Sequence, residues 1–303
     1  MMGGSIMQIP AKVEIIEVCP RDGFQNVKDF IKTENKIKII KQLIDSGVKR
    51  LEVTSFVSPK WVPQMSDADA VVAEAKKYAK ENNVKLIALA PNKKGVELAL
   101  NSGVDEVSYV LSVSESHNKK NVNKTVEESL NQFAEIAQMK GTASLKLAIG
   151  TTFGCPFGEE IKTEKIITTA KRALDEGASE VILADTVGLG NPALVEKIIK
   201  DVTQEIDPRN ISLHVHDTRG LGLANILTAM VNGIYRFESA AGGLGGCPFA
   251  PGASGNVATE DLINMLESMG VKTDIDIQKV KEAVSMIELY VNSPVTSHMS
   301  LLL

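Results

Sequence analysis

The chain has 303 residues, 44% of them hydrophobic, and a formal net charge of −5. That supply of apolar residues can build a large core, as two domains or one α/β barrel, while the acidic balance and 4% aromatic content exclude the basic, base-stacking surface of a nucleic-acid binder. No apolar run reaches membrane-spanning length, the first ten residues carry no signal or transit pattern, and three cysteines (Cys19, Cys155, Cys247) form no CxxC pair, so a reducing cytoplasm is expected.

Taken in chain order, short β-rich runs recur at Val13–Val18, Arg50–Thr54, Val84–Leu89, Glu106–Leu111, Ser144–Ile149, Glu180–Leu183, Ile211–Val215 and Ile234–Glu238. Amphipathic helical patterns separate them. Thr33 reads as an N-cap ahead of Ile37, Ile40, Leu43 and Ile44, which fall at helical spacing. Ser66–Lys80, Thr125–Gln138, Thr163–Glu176 and Pro192–Gln204 repeat the pattern. Gly47, Gly103, Gly177 and Gly233 follow helical stretches and precede strands, as left-handed C-cap glycines do. Strict alternation over eight units predicts a parallel sheet closed into a (β/α)₈ barrel, the TIM barrel. No GxGxxG follows the first strand, against a dinucleotide fold. One domain is expected, with the barrel over about 13–257 and additional C-terminal helices at Thr259–Ser268 and Ile277–Tyr290.

Such barrels work at the C-terminal ends of their strands, and polar residues gather there. The chain has four histidines, at 117, 214, 216 and 298. His214 and His216 close the seventh strand one residue apart, so they share a face, and two imidazoles on one face are half of a divalent metal site. Arg21, Asp22, Gln25 and Asn26 follow strand one, Glu52 lies on strand two, and Asp185 follows strand six. The glycine-rich run from Gly242 to Asn256, with Cys247 inside it, follows strand eight.

Pro20 to Asn26 (PRDGFQN), Thr54 to Met65 (TSFVSPKWVPQM), His214 to Thr218 (HVHDT) and Gly243 to Asp261 resemble the 3-hydroxy-3-methylglutaryl-CoA lyase family over nearly the whole chain. Arg-Asp-Gly and His-x-His mark the wider superfamily; the strand-eight loop is specific to the lyases. The resemblance implies a TIM barrel, a divalent cation (Mg²⁺ or Mn²⁺), a small-molecule acyl-CoA substrate, a homodimer, and a place in leucine degradation and ketone body metabolism. It also implies a ligand set of Asp22, His214, His216 and Asn256. A mixed nitrogen and oxygen shell of that kind suits Mg²⁺ or Mn²⁺.

The implied reaction is a retro-Claisen cleavage of 3-hydroxy-3-methylglutaryl-CoA to acetyl-CoA and acetoacetate. Asp22 or His214 would take the C3 hydroxyl proton, Arg21 would meet the thioester oxygen as charge develops, and Glu52 would orient Arg21. Cys247 would protonate the departing C2 as a general acid. Gln25, Asp185 and Lys146 would contact substrate or support the site, and the lysine pairs Lys93-Lys94 and Lys119-Lys120, read as loop residues, are candidates for coenzyme A phosphates. The match departs on strand five, where the family's arginine and tyrosine are Lys146 and Ala148, a change that enlarges and depolarises the pocket. Phe24 replaces the usual leucine. Three alternatives stand beside the main reading: a lyase for a related 3-hydroxyacyl-CoA, a condensing acyltransferase of the isopropylmalate synthase type, and an inactive metal-binding scaffold.

Overall fold

Eight parallel strands pair in chain order and the last closes on the first. They are β1 (Glu14–Glu17), β2 (Arg50–Ser55), β3 (Lys85–Ala90), β4 (Glu106–Ser112), β5 (Ser144–Gly150), β6 (Glu180–Asp185), β7 (Ile211–Val215) and β8 (Arg236–Ser239). The structure is a computed structural model and describes residues 9–246 and 255–302. The closed eight-strand barrel expected from alternation is the one observed.

The sheet is covered from outside by α1 (Thr33–Asp45), α2 (Ala68–Glu81), α3 (Lys93–Ser102), α4 (Glu115–Val122), α5 (Val126–Ala137), α6 (Thr163–Asp175), α7 (Pro192–Glu205) and α8 (Gly222–Val231). After β8 come α9 (Thr259–Ser268) and α10 (Ile277–Tyr290), both with the bounds read from the sequence. Outward strand residues such as Leu145, Leu147, Ile149, Leu183 and Leu213 are buried against helix faces that include Ile39, Ile40, Leu43, Ile166 and Ile199. This ring between sheet and helices is the apolar core. A parallel sheet covered on its outer face gains its stability from that layer, since each fully buried aliphatic side chain contributes about 1.5–3 kcal/mol.

Local chemistry sets the helix ends. Thr125 and Glu128 form a reciprocal capping box at the start of α5. Gly47, Gly103, Gly177 and Gly233 all have positive φ, as their positions before strands predict. Two details differ from expectation. Thr33 is the first helical residue rather than the N-cap; Lys32 precedes it with no side-chain cap, and the Thr33 hydroxyl instead donates to Asp67 at 2.7 Å. Lys93-Lys94 and Lys119-Lys120 are not loop residues: they open α3 and lie in the last turn of α4. Both helices start at a polar N-cap directly after a strand (Asn92 and Ser114, each accepting from a backbone N–H), and these caps draw the lysines into the helix.

The barrel interior is charged along much of its depth. Near the N-terminal end, Arg50 binds Glu180 at 2.8 Å and Glu106 at 2.6 Å. Arg236 binds Glu14 at 2.9 Å, and the Ser212 hydroxyl donates to Glu180 at 2.8 Å. These groups close the floor.

Candidate active site

β1 ends in a sharp turn. The N–H groups of Arg21 and Asp22 both bond the carbonyl of Val18, at 3.1 and 2.8 Å. Residues Cys19–Gly23 form one wide helical turn opened by Pro20, where a missing N–H costs nothing. The turn sets the Arg21 and Asp22 side chains next to each other over the C-terminal mouth of the barrel, with Arg21 Nη1 donating to Asp22 Oδ1 at 2.5 Å. Arg21 Nε donates to Glu52 on β2, also at 2.5 Å. The guanidinium is thereby gripped on two edges, and its Nη2 makes no hydrogen bond among the described residues.

His214 and His216 stand on and just beyond β7 with ring centroids 5.0 Å apart. In the sheet His214 is in register with Glu238 on β8. That carboxylate meets His214 Nδ1 at 3.0 Å, which fixes the ring and turns Nε2 to the mouth, as a carboxylate does behind a metal-binding imidazole. Sequence reading missed Glu238. The available signal was a carboxylate at an inward-facing position of a strand that is buried on both sides.

Asn256 reaches the site through backbone pairing. It bridges His216 in antiparallel fashion, while Asp217 N–H donates to Gly255 O at 2.9 Å. The amide Nδ2 donates to Asp22 Oδ2 at 2.6 Å. Two glycines permit this approach. A Cβ on Gly245, whose φ is +118°, would lie 2.5 Å from Asn256 Nδ2 and 3.2 Å from Asp22 Oδ2; one on Gly255 would lie 2.4 Å from Gly245 O. The chain before and after residues 247–254 therefore meets in a narrow neck beside the site. Cys247 lies outside the described residues.

Ligand atoms of Asp22, His214 and His216 lie within 4.8 Å of one another, and all three residues are buried. Among the described residues, Asn256 Oδ1 is buried with no hydrogen-bond partner, and His216 turns Nε2 to Asp22 Oδ2 at 3.7 Å. A buried acceptor is costly to leave unpaired, and one beside a buried carboxylate and two imidazoles fits a cation. The electrostatics agree. Although burial opposes ionisation of Asp22, the Arg21 charge and the His216 imidazole 3.7 Å away hold its carboxyl far below the ordinary range. Burial also lowers the basicity of His214, but the hydrogen bond and charge of Glu238 outweigh it and raise its pKa.

The remaining candidates take different places. Gln25 is half-buried and donates to Asp22 Oδ1 at 2.6 Å. Asp185 is buried, and both its oxygens accept backbone N–H groups, from Leu189 and Gly190, at 2.9 Å; it shapes the loop after β6. Lys146 is wholly buried below the mouth. Its Nζ lies 3.6 Å from Glu106 and 4.0 Å from Glu238 with no hydrogen bond. The structure thus brings Arg21, Asp22, Gln25, Glu52, His214, His216 and Asn256 together, with Lys146 beneath them beside Glu238 and Asp185 bonded to the backbone of its own loop.

The HMGL-like family model matches residues 12–287. The chain belongs to the HMGL-like family. It is 43% identical to hydroxymethylglutaryl-CoA lyase of Bacillus subtilis, over 96% of this chain and 97% of that one. It is 42% identical to the cytoplasmic 3-hydroxy-3-methylglutaryl-CoA lyase of Mus musculus, over 95% and 84%. Among solved structures, an HMG-CoA lyase from Acinetobacter baumannii in complex with coenzyme A and 3-methylmalate superposes with a TM-score of 0.91 at 38% identity, covering 96% of this chain and 95% of that one. With relatives of this kind over nearly its full length, this HMGL-like chain is an enzyme, a carbon–carbon lyase. Among the described residues no helix is long and apolar enough to cross a membrane.

Proposed function

We propose that the enzyme cleaves 3-hydroxy-3-methylglutaryl-CoA to acetyl-CoA and acetoacetate with a divalent cation, Mg²⁺ or Mn²⁺, held by Asp22, His214, His216 and Asn256. The observation that carries this is the buried convergence of Asp22 with the two imidazoles at the C-terminal mouth, with the Asn256 carbonyl left unpaired next to them. When bound, the cation supplies Lewis acidity that lowers the pKa of the substrate's C3 hydroxyl.

The residues do the rest. The hydroxyl proton leaves to a neighbouring base as the C3–O bond becomes a carbonyl and the C2–C3 bond breaks. Asp22 and His214 both stand beside the cation position as candidate bases, Asp22 accepting from Arg21, Gln25 and Asn256 and His214 held by Glu238 through Nδ1. The electron pair moves to C2 and onto the thioester oxygen. Arg21, preset by Glu52, offers Nη2 to that oxygen, where charge grows in the transition state. Cys247 delivers the proton to C2, and the proton first taken from the hydroxyl restores the thiol. Coenzyme A in the Acinetobacter relative supports an acyl-CoA substrate.

The test is direct. With Mn²⁺ or Mg²⁺ and a thiol reductant, the purified enzyme releases acetyl-CoA and acetoacetate in equal amounts, EDTA stops it, and Cys247→Ala loses turnover while keeping Mn²⁺ affinity. Lack of turnover with cation present would overturn the proposal; full activity of Cys247→Ala would remove the proton-donor role alone.

A further inference from the structure

Inward-facing strand residues of a TIM barrel are normally sealed. Here three aliphatic ones are not: Leu89 on β3, Val110 on β4 and Ala148 on β5 are partly exposed, while the outward residues beside them (Ala88, Tyr109, Leu147, Ile149) are buried. Val110 and Ala148 are register partners, and Ala148 is in turn in register with Ile182 on β6. Ala184, two residues further along β6 and 9% exposed, is in register with His214. The four residues form an apolar wall that begins one strand from the imidazole at β6 and runs round the barrel to β3, with Ala148 on β5 across from the β1 turn that carries Arg21.

Some polar groups near this wall are engaged. Ser112 Oγ bonds His117 Nδ1 at 2.7 Å. Thr186 Oγ1 accepts the N–H of Thr151 at 2.8 Å, and Thr151 Oγ1 donates to Gly150 O at 2.6 Å. Others are not: Ser55 and Ser108, the register partners of Leu89, and Lys146, one inward position below Ala148, have buried polar atoms with no hydrogen-bond partner among the described residues. The wall's own side chains offer hydrocarbon above that polar layer, and leaving them wet is unfavourable in proportion to their area.

On the reading above, the tertiary C3 carbon has four substituents. Its hydroxyl and the carboxylate arm face the cation ligands, and the thioester arm faces Arg21 on the β1 and β2 side. The fourth substituent is left to point at the opposite side, along Ala184, Ala148 and Val110. These are two methyl-sized side chains and one β-branched one, and Ala148 and Val110 are partly exposed, so they fill little of the space beyond a C3 methyl. We propose that this wall is a subsite for an alkyl group longer than methyl, so that the enzyme takes 3-hydroxy-3-alkylglutaryl-CoA thioesters with apolar C3 chains. The inference rests on the lyase reading and adds its substrate class.

The test is a series of 3-hydroxy-3-alkylglutaryl-CoA substrates with methyl, ethyl, n-propyl and isobutyl groups, assayed for acetyl-CoA release. kcat/KM is expected to rise about fourfold per added methylene over the first two. Ala148→Phe should cut the propyl-to-methyl ratio at least tenfold. Leu89→Ser, a smaller perturbation of the same wall, should flatten the rise with chain length even if Ala148→Phe does not fold. Cleavage of the methyl substrate with kcat/KM flat or falling as the chain grows overturns the subsite and leaves the lyase reading intact. Failure to cleave any member overturns both.

Discussion

The barrel holds two buried clusters of charge, one at each end, and they are built on opposite terms. At the N-terminal floor Arg50 is spent on Glu106 and Glu180, Arg236 on Glu14, and Glu180 also takes the Ser212 hydroxyl. At the C-terminal mouth Asp22, His214 and His216 converge with Asn256 bonded to Asp22, yet Asn256 Oδ1 has no partner among the described residues. A buried cluster whose members satisfy one another is a plug. One that keeps an acceptor in reserve is built for something that arrives later. Lys146 sits between the two, within 4.0 Å of a carboxylate from each.

The contrast breaks most visibly through substitutions at the two ends. His216→Ala should lower kcat/KM by three orders of magnitude or more, about 4 kcal/mol of transition-state stabilisation, while leaving the thermal midpoint within a few degrees; steady-state kinetics and calorimetry read the two separately. Arg50→Ala should do the reverse. It leaves Glu106 with Lys146 and Lys85, and Glu180 with Arg236 and Ser212, which costs about 3 kcal/mol of folding stability, read by urea unfolding, with kcat of the folded fraction little changed. If Arg50→Ala lost activity without losing stability, the floor would not be a plug.

Two smaller effects sharpen the picture. Glu17 lies behind the glycine-rich loop and accepts the N–H groups of Cys19 and Ala241 and the hydroxyl of Thr259. Burial still pushes its pKa up from 4.5 to about 7, against those bonds and helped by the nearby charge of Glu260. A carboxyl with a raised folded pKa stabilises the fold below its unfolded pKa and loses that contribution as pH climbs through the folded value. Stability should therefore fall between pH 4.5 and 7.5 by up to about 3 kcal/mol, and Glu17→Gln should flatten that slope in pH-dependent urea melts. Glu238→Gln should weaken Mn²⁺ binding by about 10- to 100-fold, measured by titration calorimetry; unchanged affinity would mean that Glu238 does not orient His214.

Much of this was legible in the sequence because periodicity and chain order carry it. Eight β-rich runs between helical patterns gave the barrel, the His-x-His spacing placed two imidazoles on one face, and the family-like loop pointed to Asn256. What periodicity cannot carry is height along the barrel and partnership across it. Lys146 is on the inward face, as alternation requires, but one inward position deeper than Ala148, so its ammonium lies between Glu106 of the floor and Glu238 behind His214. Asp22 and Asp185 both follow strand ends, and only the fold reveals that one carboxylate faces imidazoles while the other is consumed by its own loop's N–H groups. Glu238 was in plain view on strand eight; its role needed the register that sets it next to His214.

At Gly245 and Gly255 there is no room for even a methyl group: one added at Gly245 would collide with the Asn256 amide, and one at Gly255 with the Gly245 backbone. The hold of Asn256 on Asp22 is thus set by two missing side chains, and the smallest possible enlargement at Gly245 is enough to pry those two residues apart.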